Sequence, residues 1–137
     1  NPLSIAFVAR PFDPRSPGAV AITRHPILWG LGLWGVAHVP ANGHLVGLIL
    51  FGSLGVFGFI GMAITEQRRR TALGEDAWRA LADSTSVYPF GALLRCRARW
   101  PTDRVTVVGA LLGLLAAVLL LFYGHLLLFG RDPLALL

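Results

Sequence analysis

The feature that most constrains this sequence is an apolar stretch near its carboxyl end. From Val105 to Gly130 no Asp, Glu, Lys or Arg occurs. About 20 apolar residues in a helix cross the ~30 Å hydrocarbon core of a bilayer. We therefore predict a membrane-spanning helix over about 104–129, capped by Asp103 or Thr102. The composition of the whole chain supports a membrane protein. Of its 137 residues 55% are hydrophobic and only 14% are charged, which is more apolar surface than a soluble domain of this size can bury.

Two further apolar stretches flank a Pro-Ala-Asn-Gly turn at residues 40–43. Pro26 suits the first position of a helix, where a missing amide proton costs nothing, so we predict a helix over about 26–40 with His25 as its N-cap. A second helix over 44–65 is long enough to span the bilayer, whereas the first covers only ~22 Å. Four glycines recur every three residues in the second helix and permit close approach by another helix or a flat cofactor: Gly52, Gly55, Gly58 and Gly61.

The segment 66–103 is polar, and eight of the twelve arginines lie between residues 66 and 104. By the positive-inside rule it faces the cytoplasm, with the 40–43 turn and the carboxyl terminus on the other side. The second helix is predicted to continue to about Leu73 and to break at Gly74. A short helix follows over about 75–83, whose apolar face suits the membrane interface, and then an irregular apolar loop, "SVYPFGALL". That face consists of Trp78, Leu81 and Ala82.

These elements predict an all-α, polytopic membrane protein. It forms a single domain over 1–137 with about three spans in a bacterial inner membrane and a cytoplasmic interfacial helix. Residues 1–23 are rich in Pro and form a surface loop, and the lack of an initial Met suggests that N-terminal helices are missing. The net charge of +5 comes from clustered arginines without interleaved aromatic residues, so we expect a lipid partner and no nucleic acid. The single Cys96 excludes an internal disulfide.

Two polar sites are predicted from the histidines and their neighbours. In a continuous helix His25 and His38 lie about 220° apart in azimuth and ~20 Å apart in height, so they cannot share a metal. Arg24 and His25 form a cationic helix cap that favours an anion, and Glu66 at the end of the antiparallel neighbour can join them. The same residues also suit lipid-phosphate contact by Arg24, simple capping and a surface ion-pair cluster.

A histidine inside a membrane span is costly unless it is paired, so His38 is a candidate ligand for a metal or haem, or a proton carrier. Gly35, one turn back, leaves room for a flat ring. A histidine bonded to a carbonyl at the helix end is the structural alternative. His125, near the end of the last span, is ambiguous in the same way, and His44 is expected to be an interfacial anchor.

Five motifs occur in an order and spacing that resemble the NnrU family of bacterial membrane proteins: "ITRHPILWG", "WGVAH", "ANGHL", "LGEDAW" and "TSVYPF". The pattern is also similar to the 15-cis-zeta-carotene isomerases that belong with that family. This resemblance implies haem b with axial histidine ligation, with His38 at the position of one ligand. The other ligand in that family lies upstream of "RHP", so a one-ligand site, a ligand from His125 or another subunit, or no haem remain open.

A wider similarity is to the isoprenylcysteine carboxyl methyltransferases, which share "RHP" and a glutamate at the end of the next helix. It implies that Arg24, His25 and Glu66 hold S-adenosylmethionine, although Ile27-Leu28-Trp29 departs from the usual Tyr-x-Gly. Three functions follow as hypotheses. The first is an NnrU-like haem protein of nitrogen-oxide or carotenoid redox chemistry, including cis-trans isomerisation. The second is a non-catalytic small subunit of a larger membrane complex, and the third is a membrane methyltransferase.

Overall fold

The computed structural model describes Asp13 and residues 17–136, and within this part of the chain the regular elements are all helical. Their bounds are α1 Pro26–Ala41, α2 Leu45–Leu73, α3 Glu75–Ser84, α4 Gly91–Leu94, α5 Arg104–Leu119 and α6 His125–Phe129. The chain divides into two compact units, Asn1–Pro101 and Thr102–Leu137. The all-α prediction is confirmed.

Helices α1 and α2 form a hairpin that packs through glycines. A Cβ at Gly35 would lie 2.6 Å from the backbone nitrogen of Gly55, and a Cβ at Gly58 would lie 2.7 Å from the Cα of Gly32. Two backbones approach this closely only where neither helix carries a side chain. The predicted use of Gly55 and Gly58 for close approach is confirmed for another helix, whereas Gly52 faces only a side chain of its own helix.

Two helices of the described chain are long and apolar enough to cross a membrane, α2 and the helix from Arg104 to Phe129. The apolar part of α2 ends at Thr65, and its last two turns carry the arginine run. Helix α1 has 16 residues, which is ~24 Å and less than the hydrocarbon core. Two of the three predicted spans therefore have the necessary length.

Residues 17–25, the described stretch directly before α1, pack against the protein rather than lying as a surface loop. A short 3₁₀ turn over Gly18–Ala21 buries Val20 and Ala21. Val20 contacts Leu81 of α3, and Trp78 and Leu73 pack against this pair. The apolar face of α3 thus packs on the protein through Leu81, and the predicted position of α3 at the membrane interface stays a prediction. Most of the predicted loop 1–23 lies outside the described residues.

The second unit is one helical rod with an irregularity. Asp103 caps α5 by accepting a hydrogen bond from the amide of Thr106 at 2.9 Å, as predicted. The helix is not regular throughout, because a π-turn occupies Leu120–Gly124 before α6 begins. In the first unit, the predicted irregular loop after α3 contains the short helix α4.

Candidate functional site

The polar cluster at the start of α1 is centred on Glu66 of α2. Arg24 donates to both carboxylate oxygens, from Nε to Oε1 at 3.0 Å and from Nη2 to Oε2 at 2.6 Å. His25 lies 2.7 Å from Oε1 through its Nε2. The side chains of Arg24 and His25 are 8% and 2% exposed, so this is a desolvated, bidentate ion pair with a third donor. The predicted meeting of these three residues is confirmed.

Residues of α3 and the following loop complete the surroundings of Arg24. Its Nη1 donates to the hydroxyl of Thr85 at 3.1 Å, and the guanidinium carbon lies 5.3 Å from the centre of the Trp78 ring. Every nitrogen of the guanidinium therefore has a protein partner. Thr85 and the ring contact of Trp78 were not predicted, because neither belongs to the helical hairpin that brings Arg24 to Glu66.

A backbone clamp fixes this arrangement. The amide of Arg24 donates to the carbonyl of Ser86 at 2.8 Å, and the hydroxyl of Thr23 donates to the carbonyl of Val87 at 2.6 Å. The same Val87 carbonyl accepts from the indole of Trp29 at 2.8 Å. The "ITRHP" and "TSVYPF" motifs are thus in direct contact. His25 occupies the N-cap position as predicted, but its side chain bonds Glu66 rather than a helix amide.

The hydrogen-bonding groups of Arg24 and Glu66 are satisfied by residues of the cluster itself. Arg24 uses its three nitrogens, and both oxygens of Glu66 accept hydrogen bonds. A ligand such as S-adenosylmethionine would have to replace these bonds in order to use the same groups. Binding of S-adenosylmethionine by Arg24, His25 and Glu66 stays a prediction, and the geometry supports a structural ion-pair cluster more directly.

His38 lies near the other end of α1 in an aromatic setting. Its ring centre is 4.6 Å from that of Trp34 and 5.0 Å from that of Phe51 on α2. Its Nδ1 lies 2.8 Å from the carbonyl oxygen of Trp34. A carbonyl only accepts hydrogen bonds, so Nδ1 is the protonated nitrogen in this contact, and in a neutral imidazole the lone pair is then on Nε2. This is the arrangement in which histidines commonly bind metals.

The structure corrects the expected role of Gly35. The prediction was that it leaves room beside His38 for a flat ring, but the space beside its Cα is filled by the α2 backbone at Phe51 and Gly55. A ring bound to His38 would therefore lie elsewhere than over Gly35. Phe51, which sequence reasoning did not single out, lies opposite Trp34 because the hairpin brings α2 beside α1.

The four histidines separate into two classes by tautomer. In the second unit, Nδ1 of His125 lies 2.9 Å from the carbonyl of Leu120, within the π-turn, so it also carries its lone pair on Nε2. His44 is the reverse, because its Nδ1 accepts from the amide of Gly47 at 3.0 Å and caps α2. Its expected role as an interfacial anchor stays a prediction. His25 directs Nε2 at a carboxylate, which needs a proton there.

A protein-only metal site is not formed by the described residues, since no three His, Cys, Asp or Glu side chains group together. The fold and its sites define a helical membrane protein with an ion-paired clamp at one end of its hairpin and an aromatic-flanked histidine toward the other. The family model for NnrU protein matches residues 2–133, nearly the whole chain. The chain belongs to the NnrU family. Searches of curated proteins and of solved structures found no match.

Proposed function

We propose that this NnrU membrane protein binds haem b through Nε2 of His38 and acts in nitrogen-oxide or carotenoid redox chemistry. The hydrogen bond between Nδ1 of His38 and the Trp34 carbonyl carries the proposal, because it fixes the tautomer in which Nε2 is a ligand. The flanking rings of Trp34 and Phe51 supply an apolar setting. Bound haem would supply one-electron transfer and small-molecule binding at its iron. In this arrangement α1 is a third, shorter helix embedded in the membrane.

His125 is a second candidate ligand in its own unit. Its Nδ1 bonds the Leu120 carbonyl in the same manner, and its ring centre lies 5.7 Å from that of the tilted Phe129 ring. π-turns are rare and occur frequently at functional sites. The proposal assigns iron ligation to His38, and ligation by His125 stays a prediction.

The test is the Soret band of the protein purified from membranes in a mild detergent. We expect a band in the unaltered protein and its loss or a clear shift in His38→Ala. His44→Ala is the matched control, since His44 lies near the same hairpin turn. Its Nδ1 accepts a hydrogen bond, so its tautomer does not suit ligation through Nε2. A protein without a Soret band, or a spectrum unchanged by His38→Ala, would contradict the assignment. Adding nitric oxide or a cis-carotene to the reduced protein distinguishes the two chemistries.

A second candidate is a non-catalytic small subunit of a larger membrane complex. The observation that favours it is the exposure of α5, in which no residue is buried. A Cβ at Gly109 or Gly113 would meet nothing within 4 Å. Small residues four apart permit close packing of another membrane helix. Co-purification of a partner from native membranes would support the subunit hypothesis. We expect Gly109→Leu to reduce this co-purification and Leu111→Ala to retain it. A lone monomer would count against the hypothesis.

A further inference from the structure

Arg69 has a buried polar atom that the protein itself does not satisfy. Its Nη1 is shielded from solvent and makes no hydrogen bond within the part of the chain that the structure describes. A guanidinium keeps its charge at every physiological pH, so it cannot reduce this cost by losing a proton. A buried, charged donor without a partner among the described residues indicates an acceptor other than these residues.

The carboxylate beside Arg69 is already used. Glu66 lies one turn back on α2, where Oε1 accepts from Arg24 and His25 and Oε2 accepts from Arg24. Arg69 interacts with this carboxylate through charge alone, and the positive charge of Arg24 lies close enough to oppose its own. The next acid along the chain, Glu75, pairs with the exposed Arg70 at 2.7 Å. The cluster has an excess of positive charge, which favours a bound anion.

The position of Arg69 relative to the bilayer indicates which anion lies near it. The apolar part of α2 ends at Thr65, and four further residues at 1.5 Å each place the Arg69 backbone ~6 Å beyond it. The headgroup region on each side of a bilayer is about 5–7 Å thick. Arg69 therefore lies at the level of the lipid phosphates. Arg69 as a whole is only half-buried, so part of the residue faces the surroundings of the protein.

We propose that Arg69 forms a phosphate-binding site at the water end of α2, with the neighbouring Arg24 adding positive charge. The ligand is a phosphate group, either the diester of a phospholipid headgroup or free inorganic phosphate. The planar guanidinium fork suits two oxygens of one phosphate, which a lysine would not reproduce. The site is separate from the proposed haem ligand, so either proposal can fail without the other.

The experiment follows the thermal unfolding midpoint of the whole chain in a neutral maltoside detergent. Inorganic phosphate and phosphatidylglycerol are titrated separately, with sodium chloride at equal ionic strength as the reference. We expect a saturable rise in the midpoint beyond that with chloride, and about tenfold or more weaker binding in Arg69→Gln. Arg68→Gln, an exposed neighbour on the same helix, is the matched control and should respond like the unaltered protein.

The two sources of phosphate give different results. A rise in the unfolding midpoint with both ligands indicates a site open to free phosphate. A rise with phosphatidylglycerol alone indicates a site for a lipid headgroup. Either result supports the proposal. No rise beyond chloride in the unaltered protein overturns it, and so does an equal response of Arg69→Gln or an equal loss in Arg68→Gln. If Arg69→Gln does not fold, Arg69→Lys replaces it, with weaker phosphate binding expected because the fork is lost.

Discussion

Glu66 holds together three parts of the chain that are distant in sequence. It belongs to α2, it receives hydrogen bonds from Arg24 and His25 ahead of α1, and through Arg24 it is connected to Thr85 after α3. Arg24 is nearly buried, so its charge depends on this carboxylate for compensation. Removing one member of a buried ion pair costs more than the pair itself contributes, because the other charge is left unpaired.

Glu66→Gln is therefore expected to destabilise the protein by about 3 kcal/mol. The matched control is Glu75→Gln, which breaks the exposed pair with Arg70. That hydrogen bond lowers the pKa of Glu75, but a pair in full contact with water contributes little to stability. Unfolding in mixed detergent micelles, followed by circular dichroism, measures both. Equal losses in the two variants would show that Glu66 is no more than a surface ion-pair partner.

The sequence predicted the members of this cluster that a helical hairpin brings together, and it missed the others. Two antiparallel helices joined by a short turn must place the start of α1 beside the end of α2, which locates Arg24 and Glu66. Thr85 is held by backbone hydrogen bonds between irregular segments, and such bonds follow no hydrophobic period. The unsatisfied nitrogen of Arg69 depends on atomic packing and leaves no sequence signal.

Among the helices, the glycine contact between α1 and α2 makes the strongest demand on side-chain size. A Cβ at Gly58 would lie 2.7 Å from the Gly32 backbone and 2.8 Å from the Leu28 carbonyl, and backbone atoms cannot move aside as a flexible side chain can. In a membrane, packing of this kind provides much of the helix association, because burial from water does not.

Gly58→Ala is expected to destabilise the hairpin by about 1–3 kcal/mol, because the helices must separate to admit the methyl group. Gly52→Ala is the matched control in the same helix, since its added Cβ meets only a leucine side chain at 3.8 Å. It should be neutral or stabilising by up to about 1 kcal/mol, from the higher helix propensity of Ala. Denaturant titration with sodium dodecyl sulfate compares them, and similar behaviour of the two variants would contradict the close contact.

Helix ends were predicted better than helix interiors. Pro26, Gly74 and Asp103 mark the starts and the break within about one residue, because capping and φ restrictions act locally. The π-turn before His125 was missed, since nothing in "LLFYG" departs from an ordinary apolar helix. The sequence likewise suggested space beside Gly35, although the small residue serves an approaching backbone.

For the molecule as a whole, the arginine distribution predicts that the segment 66–103 faces the cytoplasm. The hairpin of α1 and α2 places its turn at the opposite end from Arg24 and Glu66. The membrane side of the arginine-rich segment can be measured by labelling Cys96. This residue is the only cysteine of the sequence, and it is exposed on that segment. A thiol reagent that cannot cross membranes labels it only from the side on which it lies.

We expect a charged maleimide to label Cys96 in inverted membrane vesicles and not in intact spheroplasts. Cys96→Ser combined with Gly43→Cys moves the thiol to the exposed turn between α1 and α2, where an added side chain meets nothing within 4 Å. This variant should label from the outside only. Cys96→Ser alone is the blank. Labelling of Cys96 from the outside would contradict the predicted topology, in which the arginine-rich segment stays on the cytoplasmic side.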